Sequence, residues 1–213
     1  MVEAVVAVPG TSVSDGSWRT REGLPLPPIL AAALANLQEH GYHGTTVRGI
    51  ASGVGLTMPS LYYHYGNKEG ILFALLDIAM DDLLARIRDG LEEAGSGTEA
   101  RLANFVTAVA LHNTRRRDLA KLHDESRFLG PELREQYIAK RSVVDDTLIG
   151  LLDEGVEAGL FETEDAHFTS RLVLGMCNSI VDWYSAAGSS TAEEIAERYA
   201  QSAVRLVTVN ASS

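Results

Sequence analysis

The chain is short of cysteine, has no basic excess and contains no long apolar run. Each shortage removes a class of protein. Among 213 residues the one cysteine is Cys177, so no intramolecular disulfide can form and no C-x-x-C pair is available to a structural zinc. A cytoplasmic location is expected. No stretch approaches the roughly 18 uninterrupted apolar residues of a membrane-spanning helix, so no membrane partner is expected. The run Val2 to Val8 is short, is interrupted by Glu3 and lacks the basic segment that precedes a secretory signal core. Lys and Arg number 18 against 29 Asp and Glu, a formal net charge of -11, which excludes attraction of the whole molecule to nucleic acid or anionic lipid. Any DNA contact must be local.

Catalytic signatures are missing too. There is no G-x-S-x-G elbow, no phosphate-cradling glycine loop and no His-Glu-x-x-His zinc motif. A di-metal carboxylate centre in a helical bundle needs two Glu-x-x-His motifs and two further Glu. Only Glu164-Asp165-Ala166-His167 has that spacing, and it stands at a helix start, where acids suit the helix dipole. Cys177 lies on an apolar helix without a neighbouring His and reads as a core thiol. No enzyme, metal or cofactor is expected. The alternative kept open is a helical-bundle ligand-binding protein or metal-carboxylate enzyme without DNA activity.

What is present is a globular composition, 46% apolar and 22% charged, with helical periodicity nearly throughout. Residues 9–25 mix Pro and Gly with Ser and Thr, so residues 1–24 are expected to form a flexible arm. Neither a strand pattern nor a repeat of 20 to 50 residues is found. The expected fold is all-α with about nine helices: a three-helix helix-turn-helix unit over 25–70, then a larger helical bundle over 71–213. Long helices are expected from Arg116 to Phe128 and from Glu164 to Ala187, among others.

The stretch from Thr46 to Tyr65 carries the functional signal. Two short helices, joined by Gly53-Val54-Gly55-Leu56, must cross steeply and lean on a third. With Leu61 and Tyr65 inward, the second of them presents Thr57, Met58, Ser60, Tyr62, Tyr63 and His64, where a solvated helix would show Glu and Lys. No Asp or Glu occurs between Thr45 and Lys68, while Arg48 and Lys68 remain. Residues 1–70 hold four basic and five acidic side chains and the rest 14 and 24, so the repulsive charge is distal.

The runs Ile29-Leu30-Ala31-Ala32-Ala33, His40-Gly41-Tyr42, Thr45-Thr46-Val47-Arg48-Gly49-Ile50-Ala51, Gly55 to Tyr65 and Asn67-Lys68-Glu69 resemble the DNA-binding domain of the TetR family of one-component regulators. This chain departs from the family in having Leu26-Pro27-Pro28 where an Arg is usual and Gly49 where an acid is usual. The resemblance implies a dimeric repressor on a palindromic double-stranded DNA operator, released by a small-molecule effector. It implies that Thr46 and Lys68 hold phosphates and that Thr57, Met58, Pro59, Ser60 and Tyr62 face bases. Tyr63, His64 and Arg48 complete the DNA-facing set. Arg19 and Arg21 could enter a minor groove from the arm.

The distal part resembles the family's effector domain, which dimerises through its last two helices. Leu172, Leu174, Gly175, Met176 and Ile180 on one helix, and Ile195, Tyr199, Ala203, Leu206 and Val207 on the last, supply apolar faces for core and partner. Phe105, Val109, His112, His123, Arg127, Phe128, Tyr137, Met176, Trp183 and Tyr184 are the expected ligand-pocket residues. Glu125 to Glu132, Leu174 to Asn178 and Trp183-Tyr184 resemble a subgroup that senses acyl-CoA thioesters. Ser179 and Asp182 replace that subgroup's usual aromatic and base.

Overall fold

The computed structural model describes residues 17–55 and 57–208. Within them the chain forms α1 (Pro28–Gly44), α2 (Val47–Gly53), α3 (Met58–Tyr65), α4 (Lys68–Ala94), α5 (Thr98–Arg115) and α6 (Arg117–Ala120). A 3-10 segment, Lys121–Phe128, leads to α7 (Pro131–Glu157), α8 (Ala166–Asn178), the single turn α9 (Ile180–Trp183) and α10 (Ala192–Val207). The fold is all-α. Phe161 and Thr208 form an isolated antiparallel bridge, and no strand occurs among the described residues.

Local chemistry sets the helix ends. Gly41, at φ 64°, breaks the path of α1. Thr46 caps α2 by accepting from the Gly49 amide, Asn67 caps α4 by accepting from the Gly70 amide, and Thr191 and Glu194 close a reciprocal capping box on α10. Gly70 is required where it stands, because a Cβ there would lie 2.0 Å from the Tyr65 carbonyl oxygen. The corner between α3 and α4 is therefore as tight as backbone permits.

The bundle is built around α5, which is buried along most of its length from Leu102 to Thr114. It lies between α4 and α10, with α7 and α8 closing the remaining sides. The face of α10 against it is alanine-rich, with Ala196, Ala200 and Ala203 buried, and small side chains let two helix backbones approach closely. In the N-terminal part, Leu30, Ile50 and Leu61 meet Leu72 and Leu75 of α4 in one continuous core, each buried leucine contributing about 1.5–3 kcal/mol.

Three expectations need correction. The helix expected over Glu164 to Ala187 stops at Asn178, turns once more over Ile180–Trp183 and leaves the helical path at Tyr184. Side-chain donors take its carbonyls there: Asn113 donates to the Cys177 oxygen at 2.9 Å and Arg117 to that of Val181 at 2.7 Å. The helix expected over Arg116 to Phe128 divides into α6 and the 3-10 segment, whose tighter winding changes which side chains share a face.

The third correction concerns the arm. Residues 1–16 lie outside the described residues, but residues 17–24, expected to be part of a flexible arm, pack across α4. Trp18 is buried against Gly90, where a Cβ would stand 3.3 Å from the indole ring. Its Nε1 donates to Glu93 at 2.8 Å, and Arg19 donates to Glu93 and Asn104 at 2.8 and 2.7 Å. Arg86 donates to the carbonyls of Trp18 and Arg21, while Arg21 pairs with Asp89. Composition alone suggests a solvated tail, but the fully buried Arg86 holds its backbone. Arg19 and Arg21 are thus engaged on the bundle rather than extended toward a minor groove.

Candidate nucleic-acid interface and effector cavity

Helix α3 is anchored by one fully buried side chain, Leu61, with Met58 and Tyr65 packed partly against the core. Around that anchor the outward residues have nothing to cover them. Tyr63 is 82% exposed and Tyr62 48%, and Thr57, Pro59 and His64 are exposed, with Ser60 half-buried. Tyr63 and His64 meet edge to face, their ring centroids 5.3 Å apart. Thr57 occupies the N-cap position of α3 but makes no side-chain cap bond, so its hydroxyl is free for another partner.

The surroundings of this face are positive by default. Arg48 is exposed on α2 and makes no ion pair among the described residues. The Thr46 hydroxyl oxygen accepts from Gly49 at 3.0 Å, and its proton remains available. Lys68 is placed differently from the expected phosphate holder. Its ammonium donates to the carbonyls of Tyr42 and Thr45 at 2.7 and 3.0 Å and lies 4.2 Å from the centroid of the Tyr42 ring. Two of its three protons are committed to joining the end of α1 to the start of α4.

Tyr42 is itself half of a junction. Its ring stacks on Phe128, at the end of the 3-10 segment, with His43 edge-on to the same ring at 4.6 Å. Beside it, the Glu69 carboxylate accepts from the Gly130 amide at 2.6 Å, tying the first turn of α4 to the start of α7. Phe128 is therefore a contact between the N-terminal helices and the bundle, not a cavity wall.

The bundle holds a partly open cavity of about 390 Å³ between α4, α5, α7, α8 and the segments around Leu119 and Val181. Leu76, Met80 and Leu83 of α4, Val109 of α5 and Val144 of α7 form apolar wall, while Lys121, Asp124, Arg141, Asp145 and Asp182 add charge. Of the expected pocket residues, Val109, His112, His123 and Tyr137 line it. Phe105 is core, Arg127 is exposed over the Phe128 ring, and Met176 packs against the core. Trp183, 51% exposed, stacks near Tyr199 and faces, with Tyr184, a separate cleft.

The polar groups of the cavity are arranged in two sets. His112 Nδ1 lies 3.3 Å from Asp82 Oδ2, and Arg116 Nε stands 3.5 Å from the same oxygen. Burial pushes the Asp82 carboxyl up, but the bond from His112 and the charges of His112, Arg116 and Arg86 together hold it below the ordinary range. Burial dominates at His112 and holds it below its ordinary value despite Asp82. In the second set His123 bonds the Tyr137 hydroxyl. Burial pushes Tyr137 up to about 12 and His123 down, which favours the uncharged form of both partners in this bond. Asp82, Arg86 and Arg116 escape a motif search, although Asp82 and Arg86 betray themselves as an acid and a base four residues apart within the apolar stripe of α4.

A helix-turn-helix with an acid-free outer face, joined to a helical bundle that holds a cavity, is the architecture of a DNA-binding transcriptional regulator. Comparison with known proteins names the family. Residues 29–75 match the model of bacterial regulatory proteins, tetR family, and residues 95–207 match the tetracyclin repressor-like C-terminal domain. The chain belongs to the TetR family. It is 29% identical over 173 residues to the HTH-type transcriptional repressor KstR2 of Mycobacterium tuberculosis, covering 80% of this chain and 86% of that protein. The KstR2 structure from the same organism superposes with a TM-score of 0.78 at 25% identity, covering 89% and 99% of the two chains. The TetR family regulator PfmR of Thermus thermophilus gives 0.76 at 31% identity, covering 83% and 97%. AibR, solved with isovaleryl coenzyme A and operator DNA, gives 0.71 at 26%, covering 84% and 96%. These relatives are transcriptional regulators, not enzymes.

Proposed function

We propose that the protein is a ligand-responsive repressor that binds a palindromic operator as a homodimer and leaves it when a small apolar effector fills the 390 Å³ cavity. The observation that carries this is the acid-free face of α2 and α3, on which Tyr62 and Tyr63 are displayed while Leu61 alone is fully buried. Within it, Thr57, Pro59, Ser60 and Tyr62 would meet base edges in the major groove, the exposed part of Met58 a thymine methyl, and Tyr63, His64, Thr46 and Arg48 the backbone. Lys68 acts chiefly by fixing the corner at Tyr42 and Thr45, with one proton left for a phosphate. The protein would act in the cytoplasm.

Dimerisation follows from one recognition helix reaching only a few base pairs. Support comes from α8 and α10, where Phe168, Leu172 and Leu206 are exposed although Val173, Cys177, Ile195 and Val207 on the same helices are core. The second apolar face suits a second copy.

Coupling runs through the 3-10 segment. His123 stands on the cavity wall and Phe128, five residues on, is stacked against Tyr42. An effector that breaks the His123 to Tyr137 bond alters that segment and moves the DNA-binding helices with it. An acyl-coenzyme A thioester fits the proposal through AibR, solved with such a ligand, and through the apolar wall of the cavity. Fluorescence anisotropy on DNA from upstream of the protein's own coding sequence tests the reading. Tight binding that weakens steeply with salt and is reversed by a ligand released from the purified protein supports it. Salt-insensitive or absent binding, with the ligand retained, favours the bundle without DNA activity.

A further inference from the structure

A second cleft, about 620 Å³, opens where the N-terminal helices meet the bundle. One wall is Leu24, Leu26 and Leu34, another is Trp183 to Ala186, and the third is three consecutive arginines, Arg115, Arg116 and Arg117. Against them the cleft offers a single acid, the exposed Asp118. Such a concentration of cations is unexpected in a chain of net charge -11.

The arginines are incompletely satisfied. The Arg115 side chain is 10% exposed; its Nη2 pairs with Glu193, but its Nη1 is buried without a hydrogen-bond partner among the described residues. Arg116 is 8% exposed; its Nε makes no hydrogen bond but stands 3.5 Å from the Asp82 carboxylate, which it shares with His112. Its terminal nitrogens reach only the carbonyls of Arg115 and Arg21, each at 3.4 Å. Arg117 spends Nε on the Val181 carbonyl and makes no ion pair among the described residues. Behind this wall Arg21 pairs with Asp89 and Asp82 serves both Arg116 and His112, which leaves the buried Arg86, like Arg117, with no ion pair among the described residues. A buried cation without a partner is strongly unfavourable, so a local excess of guanidinium calls for a counter-anion.

We propose that this cleft is a second ligand site, which takes a phosphoryl-bearing anion between Arg115 and Arg117. A phosphoryl group carries up to two charges and several acceptor oxygens. It therefore suits unpaired guanidinium donors better than chloride does, and the Arg fork is matched to its geometry. Leu24, Leu26, Leu34 and the Trp183 ring would lie along any organic body attached to it. Because the walls come from both the N-terminal helices and the bundle, an occupied site pins one to the other. The site is separate from the effector cavity, Leu119 being the only lining residue they share. The phosphoryl group has two sources, a free inorganic anion or the head of a nucleotide.

Isothermal titration of the full chain at constant ionic strength tests this, with inorganic diphosphate and adenosine monophosphate as probes and no DNA present. Saturable binding of one probe per chain is expected, with a rise in melting temperature. Arg115→Gln and Arg117→Gln should each weaken binding at least tenfold. Arg134→Gln, which removes an equal charge from the exposed face of α7, should change it less than twofold. Tighter diphosphate binding assigns a free anion, and tighter nucleotide binding a head group. If Arg115→Gln does not fold, the more accessible Arg117→Gln decides. No saturation with either probe, unchanged affinity in the folded variants, or an equal loss in Arg134→Gln overturns the proposal.

Discussion

The rings of Tyr42 and Phe128 lie 4° from parallel with centroids 4.7 Å apart, and they are the one aromatic stack joining the DNA-binding helices to the bundle among the described residues. Lys68 covers the other side of Tyr42, so a residue expected to touch DNA and a residue expected to touch ligand meet across a single ring.

A double-mutant cycle of Tyr42→Ala and Phe128→Ala should therefore show coupling of about 0.5–1.5 kcal/mol in thermal or urea unfolding. On the proposed route, Phe128→Ala should also reduce release of DNA by the effector while leaving effector affinity nearly unchanged. Full release in that variant would place the coupling elsewhere.

Trp18 and Gly90 give a test of the packed N-terminal segment. Gly90→Val would put branched methyls into the indole, whose Cζ2 already lies 3.3 Å from the position of a Cβ. A loss of about 1–3 kcal/mol is expected, with a red shift in the emission of Trp18 as it is expelled. Unchanged emission would mean that the segment does not lie over α4 in solution.

How far these contacts were legible in the sequence depends on their range. Caps at Thr46 and Asn67 and the break at Gly41 are decided within a few residues and can be read directly. The pairing of Asp82 with His112, or of Arg86 with the Trp18 carbonyl, spans 30 and 68 residues and leaves no local pattern. Helical spacing likewise brings His123 and Tyr137 to a common wall but cannot distinguish them from Phe128 or Trp183, because periodicity gives the face of a helix and not its neighbour. The packing of residues 17–24 was hidden by composition, since Gly and Ser around Trp18 read as tail whatever lies beneath.

Acidification should destabilise the protein through two buried histidines. His112 and His123 both have folded-state values below the ordinary 6.5, because burial disfavours their charged forms. Asp82, Arg86 and Arg116 surround the first, and Arg141, Asp124 and Asp145 the second. As pH falls through 6.5 the unfolded chain takes up protons that the folded chain refuses, so stability begins to drop near pH 6.5 and falls further below it. Asp82, whose value is also depressed, adds a further loss below about pH 4. His123→Gln should flatten the upper part of a melting-temperature profile; a profile still as steep in that variant and in His112→Gln would contradict the assignment.

Cys177 offers a simple probe of bundle integrity. Its thiol is buried and pushed up to about 12, so it should resist disulfide reagents at pH 8 in the folded protein and react promptly in denaturant. Fast labelling of the native chain would show that α8 opens readily.

The claim on which the account rests is that the surface from Thr57 to His64 reads duplex sequence. Selection of binding sites from a random duplex pool tests it most directly, using the wild type, Ser60→Ala, Tyr62→Phe and Lys68→Ala. The wild type should enrich an inverted repeat, and Ser60→Ala or Tyr62→Phe should change the preferred bases within each half-site. Lys68→Ala should keep the preference and lower all affinities together. Enrichment of no symmetric sequence by the wild type, or of the same sequence at the same affinity by the Ser60 and Tyr62 variants, would contradict it.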